Sequence, residues 1–213
     1  MDDLTLSITY FAEPGPQNTE ATLKAALRRA SELSITRFVI ATDTGKTARK
    51  LIEAAPEGSK VVVVSNAAGL ALPVERLHDY LPRFKDHKEE LVRRGLRGIP
   101  ASLSNTAVSV LEEQGAVVSR IDWKKFQLFT RSGLGSIDKL GVGVRVAFTV
   151  AVWARIAEAI PPEGEVIAIA GTGFGGGGAD TAIVVQVTDA WKDFRILEPI
   201  VRPRVSPPSE MPG

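Results

Sequence analysis

Cysteine is absent from this chain of 213 residues. That excludes disulfides, thiolate metal ligands and thiol nucleophiles together. Histidine is scarce: only His78 and His87 occur, in a polar stretch with no carboxylates at a matching spacing, so no metal site is expected. An excess of one charge is missing too. Lys plus Arg number 26 and Asp plus Glu 25, for a formal net charge of +1. A broad electrostatic nucleic-acid binder shows a basic excess instead, so nucleic acid is not expected as a partner. There is no long hydrophobic run. The longest, residues 146–154, is bracketed by Arg145 and Arg155 and falls short of the ~20 residues a membrane helix needs. The first residues are Met-Asp-Asp, with no basic segment and apolar stretch behind them, so a cytoplasmic location without a secretory signal is expected. Asn, Gln and Met are sparse, which suits a protein from a hot-living source, although a GC-rich genome leaves the same imprint.

What is there is an ordinary globular balance, 44% hydrophobic and 24% charged. The chain is long enough for one large domain, with two small ones the lesser alternative. Strand and helix patterns alternate along it. Residues 4–10 read as a strand that Pro14, Gly15 and Pro16 close. Asn18 stands as an N-cap, and Leu23, Ala26, Leu27, Ala30 and Leu33 repeat at helical spacing behind it. Residues 37–41 form a buried strand, 46–55 a helix ended by Pro56, and 60–65 a second buried strand. The second is apolar at nearly every position, the mark of a parallel strand covered on both faces. Residues 66–81 read as a loop with a short helix at most, 82–95 as a charged helix and 99–103 as a strand. Ser104 or Asn105 caps a helix ending at Gly115, Val117 and Val118 follow, and 122–130 make another helix. The longest helical pattern is 136–159, weakened at its start by Gly141 and Gly143. Residues 165–170 and 181–187 are strands joined by a short glycine-rich link, hence an antiparallel hairpin at a sheet edge. Trp191, Phe194, Ile196, Leu197, Ile200 and Val201 are too apolar for a tail and should pack back on the body. The expected fold is a three-layer α/β/α domain over residues 1–205, with a mostly parallel sheet and a flexible tail at 206–213.

Two segments carry candidate chemistry. The first is Thr42-Asp43-Thr44-Gly45-Lys46-Thr47, between a buried strand and a helix. A helix start offers free N–H groups and a positive dipole end, Gly45 admits close approach, and the hydroxyls and Lys46 suit a phosphate. A P-loop is excluded, because its first glycine would fall at Ile40. The same residues also fit a capped helix start that holds no ligand. The second segment runs Gly171-Thr172-Gly173-Phe174 and on through glycines to Gly178, Ala179 and Asp180. Six glycines in ten residues cost much ordering entropy, which points to a lid or an anion-wrapping nest; a plain surface loop is the alternative. Ser65, Asn66 and Gly69 follow a buried parallel strand and so face the same crevice as the first segment. Asp180 either joins the ligand or stabilises its own loop. Ser102, Ser104 and Ser109 lack the surroundings of a nucleophile, and Arg93, Arg94 and Arg97 read as a solvated helix face.

These residues resemble a known family. Val39-Ile40-Ala41 followed by residues 42–48, with the four valines 61–64 further on, is similar to the C-terminal domain of pyruvate kinase. There a Thr-x-Ser-Gly-x-Ser loop holds a phosphate of a sugar bisphosphate effector; Thr44 stands here for the Ser. Residues 165–171, the glycine-rich link and residues 180–185 also look like that domain, whose matching loop closes over the same effector. The likeness covers roughly residues 17–65 and 140–188, leaving 66–139 as an insertion. The whole chain looks most like small, largely archaeal stand-alone proteins of the pyruvate kinase α/β-domain type. Residues 8–11, Asn18-Thr19-Glu20, Gly171-Thr172-Gly173, residues 178–181 and the arginine-bearing segment 195–204 carry that likeness.

The resemblance implies a fold and a ligand position, not a reaction, since the chemistry of pyruvate kinase belongs to a separate barrel domain. The expected function is binding of a phosphorylated small molecule without pyruvate kinase activity. Phe174 could stack on a planar ring, which brings FMN or another nucleotide into view as the ligand. The alternatives are an enzyme that uses such a flavin or nucleotide, and an interaction module that forms a homo-oligomer.

Overall fold

The structure is a computed structural model in which residues 7–76, 82–130, 137–172 and 178–205 are described. At its centre, β2 (Arg37–Ala41) and β3 (Lys60–Ser65) run parallel, from Arg37 opposite Lys60 to Ala41 opposite Val64. β6 (Val117–Arg120) lies parallel on the far side of β3, and β7 (Gly164–Ala170) parallel on the far side of β2. Beyond β7 the direction changes. β8 (Thr181–Val187) pairs antiparallel with β7, β9 (Arg195–Pro203) antiparallel with β8, and β1 (Thr9–Phe11) parallel with β9. The seven-stranded order is β1-β9-β8-β7-β2-β3-β6.

Successive strand residues point to opposite faces, and each face has its own helices. Phe38, Ile40, Val61 and Val63 pack under α1 (Thr19–Leu33), α2 (Lys46–Ala54) and α4 (Asn105–Glu113), through Leu23, Ala26, Leu51 and Leu111. Val39, Val62, Val64 and Ala168 pack under α6 (Val142–Ile156), together with Phe126 of α5 (Trp123–Thr130). Each large side chain buried this way contributes about 1.5–3 kcal/mol. That double cover is why β2 and β3 read as unbroken apolar runs. The three-layer α/β/α expectation holds. Among the described residues, no helix is long and apolar enough to cross a membrane.

Residues 71–100 add a smaller unit. β4 (Ala71–Pro73) and β5 (Gly98–Pro100) pair antiparallel beside α3 (Pro82–Arg93), around Val74, Leu91, Ile99 and Leu72. The expected loop at 66–81 therefore contains β4 and a helical turn at residues 74–76, and the expected strand at 99–103 is confined to β5. Other boundaries shift for identifiable reasons. β1 begins only at Thr9, where Val201 lies opposite; residues 1–6 and the tail 206–213 lie outside the described residues. α6 begins at Val142 rather than 136, because Gly141 (φ +102) breaks it from the short turn at 137–140. The hairpin of β7 and β8 is antiparallel as expected, but β9 and β1 continue the sheet beyond it. Asn18 precedes α1 without capping it: its Nδ2 donates to the Glu13 carbonyl at 2.7 Å.

Candidate functional site

Strand order reverses between β2 and β7. From β2 the chain builds outward through β3 and β6; from β7 it builds the other way through β8 and β9. Open α/β sheets form their binding crevice at such a reversal, beyond the C-terminal strand ends. Ile40 lies opposite Ile169 in parallel register. Thr42 and Gly171, each two residues further on, therefore leave the sheet side by side, about one strand spacing of ~4.8 Å apart. The first segment singled out from sequence and the start of the second, at Gly171, share this edge.

The first segment is a tight turn into α2. Thr42 N–H donates to the Val64 carbonyl at 3.0 Å, which ties the turn to β3. The Thr42 hydroxyl accepts from Gly45 N–H at 3.0 Å. Gly45 has φ +81 and is buried: a Cβ there would lie 3.4 Å from Leu103 Cδ2 and 3.5 Å from Leu111 Cδ1. Only glycine takes that conformation without strain. No side chain of Gly45 can cap α2, and Thr44 and Lys46 stand exposed at its start with Thr47 half-buried. An exposed Lys50–Glu20 ion pair links the second turn of α2 to the first turn of α1.

The ends of the second segment are pinned. Asp180 is fully buried and accepts four hydrogen bonds: from Gly15 N–H (2.8 Å), Thr172 N–H (3.3 Å) and the hydroxyls of Thr172 (2.8 Å) and Thr181 (3.0 Å). Burial, the dominant influence, raises its carboxyl above the ordinary carboxylate range, while those four donors pull the other way. Ala179 N–H donates to the Thr19 hydroxyl at the head of α1 at 3.1 Å. The backbone is tightly packed there. A Cβ on Gly171 would lie 2.0 Å from the Gly178 carbonyl, and one on Gly178 would lie 2.3 Å from Thr19 Oγ1. Asp180 and Thr172 thus hold the loop's base closed rather than facing solvent. Gly173 and Phe174 lie outside the described residues, as does His78.

Ser65 and Asn66 reach the same edge but are engaged. Ser65 is buried and its Oγ accepts from Leu103 N–H at 2.9 Å. Asn66 Nδ2 donates to the Ala101 carbonyl at 2.8 Å and to Asp43 Oδ1 at 3.4 Å. Sequence reasoning passed over Arg120. It ends β6 opposite Ser65, and its Nη2 donates to the Leu103 carbonyl and to Asn105 Oδ1, both at 3.0 Å. Its position two residues after Val118, the last apolar side chain of a parallel strand, was the available signal. Among the described residues, no group of three His, Asp or Glu stands where it could hold a metal.

A mostly parallel sheet covered by helices on both faces, with its strand order reversing between β2 and β7, defines a three-layer α/β domain. Residues 20–185 match the pyruvate kinase alpha/beta domain, and the chain belongs to that family.

Proposed function

We propose that this protein binds a phosphorylated small molecule, with its phosphate at the start of α2 on Thr42, Thr44, Gly45, Lys46 and Thr47. The observation that carries this reading is the register of β2 with β7, which sets that turn beside the glycine-rich connection at the reversal of strand order. Gly45 N–H is taken by the Thr42 hydroxyl and Lys46 N–H lies 3.5 Å from Thr44 Oγ1, so the support comes from the amides that follow in the first turn of α2, the positive end of its dipole and the full charge of Lys46. Gly171 and Thr172, which leave β7 next to this turn, stand beside the ligand. The ligand class is a nucleotide or flavin mononucleotide, whose phosphate monoester fits one helix start. The reading assigns binding, not phosphoryl transfer, to these residues.

Calorimetric titration of inorganic phosphate and FMN into the wild type, Lys46→Ala and Thr47→Ala tests it. Lys46→Ala should weaken both ligands by about tenfold, the scale of one charge-assisted contact, and Thr47→Ala by less. Affinities unchanged in both variants, or no uptake by the wild type, would overturn it.

A further inference from the structure

Residues 101–105 cross the end of β3, and three side chains from two adjacent strand ends fasten them there. Asn66 Nδ2 donates to the Ala101 carbonyl, Ser65 Oγ accepts from Leu103 N–H, and Arg120 Nη2 donates to the Leu103 carbonyl and Asn105 Oδ1. Arg120 is the only one of the three that grips this stretch twice. Its two acceptors carry no formal charge, and its buried Nε has no partner among the described residues. A guanidinium on two neutral acceptors serves through its geometry: its planar fork reaches both at once, which an ammonium does less well.

The fastened stretch touches two things. On one side Leu103, itself buried, packs on Gly45 at the start of α2 together with Leu111 and Ala107 of α4: a Cβ on Gly45 would lie 3.4, 3.5 and 3.8 Å from them. On the other side, residues 101–102 are the return path from the small unit of β4, α3 and β5: Ala101 N–H donates to the Leu70 carbonyl at 2.9 Å. That unit has its own small core of Val74, Leu91 and Ile99. Asn66 completes the connection, since the same amide group reaches Asp43 in the turn.

We propose that Arg120 is a positioning residue that clamps residues 101–105 against Gly45, so that the order of the turn at 42–48 depends on that stretch being fastened. The clamp itself is independent of any ligand; its consequence for phosphate affinity rests on the binding reading above. With the guanidinium gone, the Leu103 carbonyl loses its donor, Leu103 shifts from Gly45, and the start of α2 keeps only Leu111 and Ala107 against it.

Hydrogen exchange followed by mass spectrometry on the full chain tests this, first without ligand. In Arg120→Ala, exchange should quicken several-fold at residues 98–105 and at 42–48 alike, while peptides from β7, β8 and α1 keep their wild-type rates. Arg120→Lys should fall between the two. Faster exchange confined to 98–105, with 42–48 unchanged, would overturn the clamp. Should Arg120→Ala exchange everywhere, Arg120→Lys and Asn105→Ala, which each remove less, carry the same comparison to the same decision. Inorganic phosphate is then titrated. Its dissociation constant should rise by about tenfold in Arg120→Ala, the equivalent of one hydrogen bond to a charged group. A wild type that binds no phosphate refutes the binding reading, and the ligand-free exchange pattern still decides the clamp.

Discussion

Asp180 shows how one side chain can organise a segment. It gathers donors from Gly15, Thr172 and Thr181, so a carboxylate in the last third of the chain fastens the residues that precede α1. Its proton has a predictable effect on stability. A buried carboxyl held above its unfolded value binds its proton more tightly in the folded state. Stability from this group is therefore greatest below the unfolded value, about 4, and falls as pH rises through the folded value. Urea unfolding of wild type and Asp180→Asn across that range should show the wild type losing ground to the variant as pH rises. The opposite slope would mean that the four hydrogen bonds outweigh burial. Sequence reading names Asp180 as a stabiliser of its own loop, one of two alternatives, and its bonds with Thr172 and Thr181 are of that kind; its tie to Gly15 is not legible, because that donor lies 165 positions away. Lys46 and the turn around it were legible, since they follow a recognisable buried strand.

At the scale of elements, α6 depends on a glycine in its first turn. A Cβ on Gly143 would lie 2.1 Å from Thr181 Oγ1 and 3.3 Å from Asp180 Oδ1. Gly143→Ala should cost about 3 kcal/mol in denaturant unfolding, because neither β8 nor the Asp180 cluster can retreat. Gly58→Ala is the control: its backbone has φ +83 but its surroundings are open, so only about 1 kcal/mol is expected. Sequence reading identifies Gly143 as a weak point in a helical pattern, which is true of its propensity and blind to its packing. The same contrast separates the strands. β2 and β3 are visible as apolar runs because both their faces are covered. β9 is not visible as a strand, because Pro199 interrupts it and its pairing with β8 slips between Ala182 and Ile183 and again between Val184 and Val185. β4 and β5 are three residues each and serve a core of a few side chains, too short for a period to register. The edge at the start of α2 follows from strand direction alone. Arg120 does not, because its partners are fixed only once residues 101–105 cross the sheet.

For the molecule as a whole, β9 joins what the chain order separates. It lies between β8 and β1, and Ile200 and Val201 enter the core beneath α1. A chain ended after Phe194 would strip β8 of one neighbour and β1 of its partner. It should show no cooperative denaturant transition by near-ultraviolet circular dichroism, whereas an intact core would keep a single one. The family match at residues 20–185 stops short of β9, so the strand that completes this sheet is read from the structure rather than from the match.

The parallel pairing of β1 with β9 also decides how the protein meets force. Tension applied at Ser7 and Val205 pulls these neighbours in opposite directions along their common axis, from Thr9 opposite Val201 to Phe11 opposite Pro203. The hydrogen bonds between them are then loaded together in shear instead of being unzipped one after another. A contact only three residues long becomes the mechanical fastening between the two ends of the chain.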